Sequence, residues 1–145
     1  ERTMKTSGMA LALASLTVLS VGCSREEGRD FVFFGPQNTT ATNTQGQKMT
    51  ISSPVSADIE RGASQVIKVG IERVGFNDAV EVSVSGLPDG VEADKAAQSV
   101  HTNEAMIALD ADPAASLAKD HAVKITVTGP GGMTAVQYVK LTVKQ

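Results

Sequence analysis

The chain of 145 residues has one cysteine, one tyrosine and no tryptophan. A single cysteine closes no internal disulfide and builds no metal-type cysteine cluster. Aromatic residues are 3% of the sequence, so any core has to be aliphatic; Val, Ile, Leu and Met supply it, mostly after residue 48. Histidine is almost as scarce, with only His101 and His121. Neither lies in a nucleophile motif and no Gly-x-Ser-x-Gly occurs, so a Ser-His-Asp hydrolase has no starting point. Two histidines without supporting cysteines argue against a closed zinc site. No glycine-rich loop follows a strand pattern and opens a helix, which removes the nucleotide cradle. Basic residues are outnumbered and scattered, which argues against nucleic acid as a partner.

What the chain does have begins with its leader. Met4-Lys5 gives a short positive start, residues 8–21 are uncharged and rich in Ala, Leu and Val, and Ser20-Val21-Gly22 places small or modest side chains before Cys23. That layout predicts a secretory signal peptide over 1–22, with Glu1-Arg2-Thr3 as an extension ahead of the start methionine. The uncharged window, 6–24, is near the lower limit of ~17 residues for a membrane span. It is diluted by Ser, Thr and Gly and followed by mixed charges (Arg25, Glu26, Glu27, Arg29, Asp30), which favours a cleaved signal over a span. Removing 1–22 leaves 11 basic and 15 acidic side chains, a net charge of −4.

The run Leu19-Ser20-Val21-Gly22-Cys23 resembles the lipobox of bacterial lipoproteins. Gly22 and Cys23 match the pattern; Ser20 stands where leucine is usual, with Leu19 one place early. In that family the cysteine sulfur receives a diacylglyceryl group, the signal is cut before it, and its amino group is then acylated. The resemblance implies that Cys23 is a lipidation site and that the membrane is a partner through this lipid. Two or more acyl chains hold a protein stably on a bilayer, at ~0.8 kcal/mol per buried CH₂, where one chain is marginal. Ser24 occupies the place where the family's inner-membrane retention signal has Asp, so the resemblance implies a cell-envelope address at the outer membrane, facing the periplasm or the cell surface.

After Cys23 the sequence predicts a disordered tether through residue 47. Pro36-Gln-Asn-Thr-Thr-Ala-Thr-Asn-Thr-Gln-Gly-Gln47 is polar, of low complexity, and has almost nothing to bury. Within it, Phe31-Val32-Phe33-Phe34 holds three of the four phenylalanines. Three readings fit this patch: a short strand that pairs with the domain or tucks under it, a docking peptide for a partner, or a wedge beside the lipid. Phe31, Phe33 and Phe34 are therefore candidate partner-binding residues.

From Lys48 the texture changes to period-2 alternation, the mark of half-buried strands. Ile67, Val69 and Ile71 form one apolar set; Val80, Val82 and Val84 another; Val123, Ile125 and Val127 a third; Val139, Leu141 and Val143 a fourth. Shorter candidates are 48–52, 91–95 and 105–110. Gly75-Phe-Asn-Asp78, Leu87-Pro88-Asp89-Gly90 and Gly129-Pro-Gly-Gly132 supply reversals between them. Asp112-Pro113-Ala-Ala-Ser-Leu-Ala118 predicts one helical turn, with Asp as cap and Pro at the first position. About seven short strands at this spacing over 48–145 predict an all-β fold, a single antiparallel β-sandwich. Val80-Glu-Val-Ser-Val-Ser-Gly-Leu-Pro-Asp-Gly-Val91 and Val123-Lys-Ile-Thr-Val-Thr-Gly129 resemble the Ig-like and fibronectin-III-like modules of bacterial surface proteins. The Cys…Trp…Cys signature of antibody domains is missing, and Val123 stands where many modules place a tyrosine.

Two functional classes follow. The first is a non-enzymatic module of the cell envelope that binds a protein or glycan, or acts as a spacer, with no cofactor. On its final strand Ala135, Val136, Tyr138 and Val139 put apolar groups on both faces, so Val136 and Tyr138 point outward and form an apolar stripe for a partner strand on a sheet edge. The second is a calcium-binding or small hydrolytic domain. Asp110, Asp112 and Asp120 bracket one loop with oxygen ligands, and His121 follows them. Four polar residues near one turn are ordinary surface, so the first class is the stronger expectation.

Overall fold

The computed structural model describes residues 37–145. Cys23, Phe31, Phe33 and Phe34 lie outside the described residues. Ten strands follow in chain order: β1 (Gln37–Thr42), β2 (Lys48–Ser53), β3 (Ser56–Glu60), β4 (Ser64–Val74), β5 (Val80–Ser85), β6 (Val91–Ala93), β7 (Ala97–Val100), β8 (Glu104–Ala111), β9 (Ala118–Thr128) and β10 (Thr134–Lys144). They form two five-stranded sheets, ordered β1-β2-β4-β8-β6 and β3-β10-β9-β5-β7. The fold is an all-β sandwich. Its inner layer is the alternating set read from the sequence: Ile67, Val69, Ile71, Val80, Val82, Val123, Ile125, Val127, Val139, Leu141 and Val143 are buried, and Val84 is half-buried against them. Met49, Ile51, Ile107 and Leu109 complete it, and Phe76 is the one aromatic side chain among the buried residues.

Three strands exceed the expected seven. β3 follows Pro54, where the chain leaves the first sheet and continues in the second, a corner by strand switching. It pairs with β10 in parallel, Ser56 opposite Lys140 through Glu60 opposite Lys144, so the second sheet is mixed rather than wholly antiparallel. β7 has a single buried apolar residue, Val100, too little for an alternation signal. β1 lies within the expected tether, and its place in the fold corrects that boundary: residues 37–42 pair with β2 from Gln37 opposite Ser53 to Thr42 opposite Lys48. Among the described residues the fold already includes Gln37, eleven residues ahead of Lys48. An edge strand needs little apolar surface, because one side of it has no neighbour; the threonines of β1 suit extended backbone.

Side chains pin the loops. Asn43 Oδ1 accepts the N–H groups of Gln45 (3.1 Å) and Gln47 (3.0 Å), and its Nδ2 donates to the Pro130 carbonyl (3.2 Å). The expected helical turn at 112–118 is a single tight turn that stops. Asp112 does cap it, accepting the Ala114 N–H at 2.7 Å, and its carbonyl accepts Ala115 N–H at 2.9 Å. The next backbone groups bond elsewhere: Ser116 N–H to the Asp89 carbonyl (3.0 Å), and the Ala115 carbonyl to Arg61 Nε (2.7 Å). With those groups engaged by other strands' loops, no second turn propagates.

Candidate docking face around Tyr138

β10 alternates strictly. Ala135, Gln137, Val139, Leu141 and Val143 face inward and are buried, while Val136, Tyr138, Lys140 and Thr142 leave on the outer face of the second sheet. Tyr138 is 53% exposed and Val136 is half-buried beside it, both on the outward side expected from the sequence. The expected sheet edge is corrected: β10 is flanked by β9 along its length and by β3 over Lys140–Lys144. Its first half is lapped by β1. Thr39 Oγ1 donates to the Val136 carbonyl (3.4 Å), and Gln137 Nε2 donates to the carbonyls of Gln37 and Ile51, the latter at 3.2 Å. Tyr138 is therefore presented on a face, not on an open ladder.

The register places its neighbours. Lys124 stands directly opposite Tyr138 on β9, with Ser85 beyond it on β5. One row along, Val136, Thr126, Ser83 and Ala97 cross four strands. Lys140, two residues from Tyr138 on the same side, has Ala122 and Ser56 opposite it. Directly opposed side chains have Cβ atoms about 4.5–5.5 Å apart, so Tyr138 has one lysine beside it and another along the strand, over a floor of small residues. Lys144 is paired with Asp58 at 2.6 Å, whereas among the described residues neither Lys124 nor Lys140 is in an ion pair. By register the acid on this face that lies toward β5, Glu81, is two rows from Tyr138.

The carboxylates of the alternative reading are not brought together. Asp110 accepts a hydrogen bond from Ser64 Oγ on the outer face of the first sheet and lies opposite Glu92. Asp112 is spent on its own turn. Asp120 belongs to a bulge on β9, with φ of 52° and its N–H donated to Thr142 Oγ1 at 3.2 Å. Gly90, Glu92, Asp110, Ala111 and Asp112 line a groove of about 260 Å³, but among the described residues no three His, Cys, Asp or Glu side chains are grouped to hold a metal ion. His121 Nε2 donates to the Gly86 carbonyl at 2.8 Å, a bond that ties β9 to the turn after β5.

Sequence reasoning placed Tyr138 and Val136 on the outward side and did not single out Lys124 or Lys140. Their outward parity is legible in the alternation of β9 and β10; their adjacency to Tyr138 depends on strand pairing, which parity does not carry. No protein-family model matches the chain, and no curated protein matches it.

Proposed function

We propose that the chain is a lipid-anchored, non-catalytic binding module of the bacterial cell envelope, held on the outer membrane through Cys23 and docking an envelope protein or glycan through the face around Tyr138. The exposure of Tyr138 beside Lys124 and Lys140, which have no ion-pair partner among the described residues, carries this reading: it is the one large aromatic side chain exposed among those residues. Aromatic residues with a polar tip are enriched where one protein surface meets another molecule. The lipobox resemblance at Leu19–Cys23 supports the anchor. Thirteen residues, 24–36, separate Cys23 from β1, a reach of at most ~45 Å, so the module works close to the lipid.

Two measurements test it. Labelled fatty acid should be incorporated in cells and lost in Cys23→Ser; label that survives the substitution overturns the anchor. A photoreactive residue at position 138 should yield a discrete crosslinked adduct in intact cells; no specific adduct overturns the docking face.

A further inference from the structure

We infer that the occupant of the Tyr138 face is an anionic polysaccharide, an inference that rests on the docking reading above and names its ligand. Charge complementarity carries it. The mature chain is acidic, with a net charge of −4, yet on this face Lys124 and Lys140 flank Tyr138 with no ion-pair partner among the described residues. Glu81, Asp58 and Glu60 share this face, but by register Glu81 and Asp58 lie two rows from Tyr138 and Glu60 three, and Asp58 is taken by Lys144. The outer face of the first sheet carries Glu72, Glu92, Glu104 and Asp110 against Lys48 and Lys68, the latter paired with Glu104 at 3.7 Å. A negatively charged ligand is thus met by the rows of Tyr138 and Lys140.

The shape of the face selects among anions. Ser83, Ser85, Ala97, Ala122 and Thr126 pave the face with short side chains, and among the described residues the open ladders of this sheet are those of β3 and β7, away from Tyr138. Peptide recognition by strand addition needs both an open ladder and side-chain pockets. A bilayer would need an aliphatic cluster, and here Val136 is half-buried while the exposed Leu117 lies apart from it, beside Thr142 and Lys144. A chain of sugar rings needs less. The flat Tyr138 ring takes the apolar face of one ring, the Ser and Thr hydroxyls meet sugar hydroxyls, and Lys124 and Lys140 meet the acid groups. Because the face is open rather than concave, an extended polymer fits it better than a small molecule, which needs enclosure on most sides.

The test uses the full chain in detergent micelles and measures retention on immobilised polygalacturonate, its fully methyl-esterified form, and polyglutamate. Polygalacturonate should be retained, with affinity that falls as salt rises. The methyl ester, which lacks the charge, and polyglutamate, which lacks the sugar rings, should be retained weakly. The exposed double substitution Lys124→Gln/Lys140→Gln should weaken polygalacturonate binding roughly tenfold, and Tyr138→Ala comparably, with melting curves unchanged. Equal retention of polyglutamate, retention unaffected by the lysine substitutions, or no retention of polygalacturonate overturns the inference. If polygalacturonate fails while position 138 still crosslinks to an envelope protein, the docking reading stands and the glycan falls.

Discussion

The side-chain amide of Gln137, buried on β10, donates to the carbonyl of Ile51 on β2 at 3.2 Å and so ties the two sheets together through the interior. The same nitrogen reaches the Gln37 carbonyl, so one side chain also holds the start of β1. Replacing Gln137 with leucine keeps the volume and removes both bonds, but it also removes Gln137 Oε1, a buried acceptor with no hydrogen-bond partner among the described residues, which offsets part of the loss. The expected net cost is about 0.5–1.5 kcal/mol. Hydrogen exchange should accelerate at the amides of β1 beyond the global change. Exchange that rises equally in β1 and β9 would show that Gln137 does not fasten the edge strand.

Val82 on β5 and Ile125 on β9 both point from the second sheet into the core and are 1% and 0% exposed. Val82→Asp or Ile125→Asp buries an unpaired charge and should cost more than ~4 kcal/mol, enough to abolish cooperative melting in circular dichroism. An unchanged melting curve would mean that the inward assignment is wrong.

Gly90 and Gly70 separate two kinds of close approach. A Cβ on Gly90 would lie 2.6 Å from the Ala115 backbone, and Gly90 has φ of +81°. A Cβ on Gly70 would clash with Ser52 Oγ, but that atom swings away by rotamer change, and the Ser52 backbone is 3.9 Å off. Gly90→Ala should therefore lower stability by about 3 kcal/mol or more, since clash and left-handed strain add. Gly70→Ala should stay within about 1 kcal/mol of the parent, as alanine costs less chain entropy than glycine in a strand. Thermal melts of the two variants check the order.

Asp112 works as a turn cap, accepting the Ala114 N–H. Asp112→Ala should cost about 0.5–2 kcal/mol whether or not calcium is present, and calcium should leave the melting temperature of the parent chain unchanged. A rise of several degrees with calcium, lost in the alanine variant, would restore the metal reading.

The strands legible in the sequence are those with one apolar face: β2, β4, β5, β8, β9 and β10 announce themselves because alternate residues enter the core, and β6 shows by Val91 after its turn. β1 is silent for the opposite reason. Its residues Gln37–Thr42 bury almost nothing, and their place is set by the β2 ladder and by Gln137, a partner 100 residues away. β7 and β3 are too short in apolar residues to register. Asp112-Pro113 reads as a helix start from local preference alone, but Arg61 and Asp89 take the backbone groups that a helix would need. The candidate site divides in the same way. Tyr138 is visible as an outward residue; Lys124 joins it only through the β9–β10 register.

Hydroxyl-radical footprinting tests the docking face most directly, because Tyr138 and Met106 report on opposite outer faces at similar exposure, 53% and 58%. In the isolated full chain both should oxidise freely. In intact cells the account predicts that Tyr138 is protected while Met106 still reacts, and that Lys124→Gln/Lys140→Gln restores oxidation of Tyr138. Equal oxidation of Tyr138 and Met106 in cells would contradict it.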